Sequence, residues 1–133
     1  MIDKLDLPAV SAAALTEFEE NEYHIISKVV EKAQTQISDS MPEGGSEVLR
    51  AGMEFTVSSF RNAMNLGELT ILENQINWGM DRLPHDGVKP TNVYQNFQLM
   101  ADAVDELLSP ESAQQIRAYV DWCVAKIKEM LNT

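Results

Sequence analysis

Residues 67–108 read GELTILENQINWGMDRLPHDGVKPTNVYQNFQLMADAVDELL, and this stretch decides the fold. Leu69, Leu72, Ile76, Met80 and Leu83 recur at steps of three and four, the spacing of one helical face, with Ile71 and Trp78 widening it. Leu83-Pro84 ends that helix, because proline disfavours helical geometry in the residue before it. Asp86-Gly87 supplies a turn, and Pro90 stands where a new helix begins. Val93, Phe97, Met100 or Ala101, Val104 and Leu107 or Leu108 then form a second stripe. The expectation is an amphipathic helix, a tight corner, and a second helix returning alongside the first.

Working outward, Ser109-Pro110-Glu111 stops one helix and starts another, with a serine cap, a first-turn proline and an acid against the helix dipole. The last helix carries Ile116, Val120, Cys123, Ile127 and Leu131, with Lys126 and Lys128 near its negative end. Upstream, Ser46 is the expected N-cap of a helix buried through Leu49, Met53, Val57, Phe60 and Met64. Gly67 ends or kinks that helix, and Gly52 and Ser59 on an adjoining face would admit another helix closely. SDSMPEGGS, residues 38–46, is a loop without a phosphate-loop pattern.

At the N-terminus a helix is expected to start near Pro8, with Val10, Ala14 and Phe18 at spacing four. Glu17, Glu19, Glu20 and Glu22 cluster around Asn21, so that either one long helix passes through or Asn21 caps a second one; acids suit a helix start, and a break or bend is the expectation. Ile26, Val30, Ala33 and Ile37 continue the apolar face. No strand-like alternation competes. The fold class is therefore all-α, a single domain over residues 1–133 with five or six helices in an antiparallel bundle. Residues 1–45 supply the N-terminal helices and loop, and 46–133 the helical core.

Composition narrows the function classes. A chain of 133 residues with 44% apolar residues can bury one core, and no apolar run is long enough to span a membrane. The formal charge of −11 would repel nucleic acid or anionic lipid, and the ten Lys and Arg residues are scattered rather than grouped. One cysteine, Cys123, excludes an intrachain disulfide framework, and no secretory signal is visible; together these point to the cytoplasm.

Chemistry-bearing residues are sparse. His24 and His85 have no zinc-spaced partners, although Glu20 and His24 share a helical face. His24 is the better of the two for holding a haem. Cys123 falls on an apolar stripe, where an inert thiol is the default. Asp102, Asp105 and Glu106 read as a solvated face, and no nucleophile motif is present. No cofactor is predicted, a tetrapyrrole being the alternative.

Asparagine is the one unusual pattern. Asn62 and Asn65, Asn74 and Asn77, and Asn92 and Asn96 place a pair on each of three successive helices. Each costs about half a kcal/mol relative to alanine in a helix. Caps and solvated positions are the plainer reading. The functional one is a polar-lined pocket formed by Asn74, Asn77, Trp78, Met80, Asn96 and Met100, able to hydrogen-bond a neutral small molecule. Trp78 and Trp122 read as core anchors, and Tyr23, Tyr94 and Tyr119 as core-edge residues. Because the final stripe runs almost to the chain end, Ile116, Tyr119, Val120, Ile127 and Leu131 form the candidate dimer or partner interface.

The segment INWGMDRLPHDGVKPTNVYQNFQLMADAVDELL resembles bacterial helical sensory modules, among them the globin-like N-terminal domains of stressosome-type signalling proteins. Trp78, Arg82, Leu83, Gly87, Val88, Pro90, Leu107 and Leu108 carry the resemblance, over about a third of the chain. It implies a globin-like helical sensor or interaction module, and no ligand. The expectation is thus a non-enzymatic helical module relaying a signal through a homodimer or a protein partner. The alternative is a small-molecule or tetrapyrrole carrier with a pocket near Trp78.

Overall fold

The computed structural model describes Leu7, residues 9–36 and residues 45–132. Five α-helices follow one another: α1 (Ala12–Gln36), α2 (Ser46–Leu66), α3 (Thr70–Arg82), α4 (Pro90–Leu107) and α5 (Pro110–Leu131). A 3₁₀ turn, Leu83–Asp86, joins α3 to α4. Among the described residues there is no strand, and no helix is long and apolar enough to cross a membrane.

The first helix departs from expectation at both of its predicted landmarks. It begins at Ala12, where the Ser11 hydroxyl accepts from the Ala14 backbone N–H at 3.1 Å, and not near Pro8. It then runs unbroken for 25 residues through the acidic cluster. Asn21 does not cap a second helix; its side-chain amide donates to the Glu17 carbonyl at 2.8 Å, within the helix. The flanking acids are tolerated because they leave in different directions. Glu22 accepts from Arg61 on α2 at 2.6 and 2.8 Å. Glu17 accepts from the Ser109 backbone N–H, from Ser109 Oγ at 2.9 Å and from Ser112 Oγ at 2.6 Å, all at the start of α5. Repulsion within the cluster is thereby replaced by ties to two neighbouring helices. Ile37 and most of the 38–46 loop lie outside the described residues.

Buried side chains of α1, including Phe18, Ile25, Val29 and Ala33, make it the central rod, with α2, α4 and α5 all packed against it. The other helices complete a single apolar core, so the N-terminal helix belongs to the same body as residues 46–132. Leu49, Met53, Val57, Phe60 and Met64 are buried as the stripe of α2 predicts. That helix starts after Gly45, at φ 75, rather than with Ser46 as its cap. It ends at Gly67, whose φ of 64 lies in the left-handed region that a Cβ disfavours. Gly87, at φ 82, does the same work in the corner, closing the 3₁₀ turn onto Leu83 and Pro84.

Helices α4 and α5 pack together across a two-residue elbow, Leu108 and Ser109, both extended. Ser109 caps α5, accepting from the Ser112 backbone N–H, with Pro110 in the first turn. The predicted pairing of α3 with α4 does not form. Instead α3 packs on α2 and α5, while α4 packs on α1 and α5. With only 13 residues and a narrow buried face, Leu72 and Ile76, α3 spends its apolar surface on α2 and α5. Nor does Gly52 admit a close neighbour: a Cβ placed there would meet nothing within 4 Å.

Candidate functional site

Helices α2 and α4 each pack on α1. Their deep contact is Phe60 against Phe97, ring centroids 6.2 Å apart. Towards the N-terminal halves of both helices the gap opens into a cleft of about 180 Å³. One wall comes from Val48, Leu49, Gly52, Met53, Phe55 and Thr56 on α2, the other from Val93, Asn96 and Phe97 on α4. The third side is α3 and its corner, through Gln75, Ile76, Trp78, Met80, Leu83 and Val88, with Ile127 of α5 also contributing. Among the described residues, none of the lining side chains is titratable.

The rim is apolar and stands in water. Val48 is 47% exposed, Phe55 60% and Trp78 61%. Trp78 is therefore not the core anchor its position on the stripe predicted; Trp122, at 2%, is. Tyr23 likewise lies out on the surface, beneath the Arg50 guanidinium, and not at the core edge.

Polar groups enter the cleft at two places. On one side Gln75 donates from its side-chain amide to the Thr56 hydroxyl at 3.1 Å, and that hydroxyl donates back to the Gly52 carbonyl at 2.9 Å. This chain of bonds is closed. On the other side is Asn96, 7% exposed, whose Oδ1 is buried and lacks a hydrogen-bond partner, alone among the buried side-chain polar atoms of the described residues. Leaving an acceptor so placed costs about 1–3 kcal/mol, and native structures contain few such atoms.

Of the six residues expected to form a pocket, Trp78, Met80 and Asn96 line this cleft. Asn74 and Asn77 do not; both face solvent on α3. Met100 does not either, being fully buried in the core. The six paired asparagines split the same way: Asn62, Asn65, Asn74 and Asn77 are exposed, and only Asn92 and Asn96 are buried. Amide counting locates the site's region without separating the one functional candidate from the solvated ones. Val48 and Phe55 were missed. Their signal was present in the sequence, as bulky apolar residues lying off the stripe Leu49–Met53–Val57–Phe60.

The expected interface on α5 is corrected by burial. Ile116, Val120 and Ile127 are inaccessible and Tyr119 nearly so, because that stripe packs against α1 and α4 within the same chain. Leu131 alone is partly exposed. A second molecule cannot reach Ile116, Tyr119 or Val120 without opening the core, and Ile127 borders only the cleft.

Several ionisable groups are structural ties. Lys28 and Lys32 both hold Glu106 at 3.0 Å, and hydrogen bonds from them keep that carboxyl below its ordinary range. Hydrogen bonds from Ser112 and then Ser109 do the same for Glu17. Burial pushes the Cys123 thiol far up, so the inert default holds. His24 and Glu20 are exposed, neither histidine lines the cleft, and no group of three metal-ligating side chains occurs among the described residues.

Comparison of the chain with family models, curated proteins and solved structures finds no match. The likeness to globin-like sensory domains therefore rests on the residues quoted for it.

Proposed function

We propose that this protein is a non-enzymatic interaction module that relays a signal by seating an apolar segment of a partner protein in the α2–α3–α4 cleft. The observation that carries this reading is the rim. Phe55, Trp78 and Val48 expose large apolar surface beside a ready-made slot, and contiguous patches of that kind mark docking sites. A small ligand confined to the slot would leave the rim in water. A protein segment would cover slot and rim together. The absence of titratable side chains from the lining supports binding rather than turnover.

A photo-crosslinking residue at position 55 tests this in cells, with the same residue at exposed Gln114, outside the cleft, as control. A discrete protein adduct from position 55 alone is expected. Equal adducts at both positions would sink the reading. A stoichiometric small molecule retained in native mass spectrometry would instead favour the carrier, for which the unpaired Asn96 acceptor is the supporting observation. The slot is too small for a tetrapyrrole: an apolar cavity of about 150 Å³ takes a benzene-sized molecule.

A further inference from the structure

Resting on the docking reading, we infer that the occupant is a positively charged amphipathic helix of another protein, anchored by a tryptophan or tyrosine whose N–H or O–H donates to Asn96 Oδ1. Two features lead there. The slot, at about 180 Å³, takes one aromatic side chain, and its wall carries a buried acceptor without a partner. A purely apolar anchor would leave that acceptor unpaid, whereas an indole or phenol brings an apolar body and a single donor. Phenylalanine and leucine anchors are discriminated against for the same reason.

Charge identifies the rest of the segment. Exposed Glu47, Glu54 and Asp81 stand next in sequence to the lining residues Val48, Phe55 and Met80. Cations stand there too: Arg50 bonds Ser27 and covers Tyr23, Lys126 reaches Glu73 and the Trp122 ring, and exposed Arg82 and Lys89, next in sequence to the lining residues Leu83 and Val88, are engaged in interactions of their own. With a formal charge of −11 over the whole chain, a basic helix is drawn in and an acidic one, or a second copy, repelled. An apolar face laid in a groove with one deep anchor is a standard way to recognise a helix.

The probes are indole, indene (the same ring shape without the donor), and two helical peptides carrying one tryptophan on an apolar face, flanked by lysines or by glutamates. Binding is followed by amide NMR shifts of the full chain. Indole is expected to perturb α2, α3 and α4 residues of the cleft and to bind about tenfold tighter than indene. Asn96→Leu is expected to abolish that preference, lowering the affinity for indole to that for indene. The lysine-flanked peptide should bind at least tenfold tighter than the glutamate-flanked one, with an advantage that shrinks as salt rises. Equal binding of indole and indene to the unaltered protein overturns the anchor. Equal binding of the two peptides overturns the basic helix. Either result leaves the docking reading standing if position 55 still crosslinks a protein; no shift with any probe and no adduct removes both.

Discussion

Replacing Asn96 by leucine is expected to make the protein more stable. In the folded chain Asn96 is 7% exposed and its Oδ1 has no partner, which costs about 1–3 kcal/mol. Leucine removes the acceptor and adds apolar contact, and the cleft beside it supplies room for the branched end. The net gain is about 1–2 kcal/mol, or about 4–8 °C in Tm for a chain of this length. Asn92 lies one turn earlier, is buried to a similar extent, and leaves no buried side-chain atom unpaired. Asn92→Leu is therefore expected to move the other way, by about 1–2 kcal/mol. Urea denaturation of the three proteins, with m-values that agree, measures both effects. Asn96→Leu coming out less stable than the unaltered chain would refute the idea that this amide is retained at a cost for the sake of the cleft.

Further expectations concern the scaffold. Phe18→Ala, in the second turn of α1 and fully buried, should lose about 3–5 kcal/mol, read by the same denaturation; a loss under 1 kcal/mol would deny α1 its central place. Gly67→Ala places a Cβ at φ 64 and should cost about 1 kcal/mol, against no change if the corner can relax. The Glu17 carboxyl is held below its ordinary value by Ser112 and Ser109. Its contribution is present above the unfolded-state value near ~4.3 and is lost as pH falls through the lowered folded-state value. Glu17→Gln should accordingly flatten the acid limb of a stability–pH curve, and an unchanged limb would refute the clasp. Cys123 should react with a thiol reagent only at the rate of unfolding, since it is buried and its thiolate disfavoured; rapid labelling of the native protein would contradict that.

Local rules reached the helices well because their determinants are local. Ser109-Pro110 starts α5 and Gly67 stops α2 through backbone geometry that neighbouring residues impose. Stripes at steps of three and four name the buried faces of α2 and α5 correctly. The failures share a different cause. Whether Glu17 and Glu22 break a helix depends on Ser109 and Arg61, 92 and 39 residues away. Whether Ile116 and Val120 face a partner or this chain's own core depends on where α1 and α4 pack, and a stripe does not distinguish those destinations. Trp78 is the converse. Its helix has fewer core neighbours than its stripe assumes, so an apolar residue on the stripe's flank is left outside. The cleft between α2, α3 and α4 likewise depends on how the helices pack. Asn96 was legible only as one amide among several, because its lack of a partner is a property of the packed chain.

Trp78 at the mouth of the cleft and Trp122 in the core give the protein two built-in lamps of different colour. An indole in water emits to the red of one enclosed in hydrocarbon, so the native spectrum is the sum of a wet component and a dry one. Filling the cleft dries the first and leaves the second alone, whereas unfolding wets the second. Occupancy and integrity are thus separable in one cuvette by the direction in which the band moves.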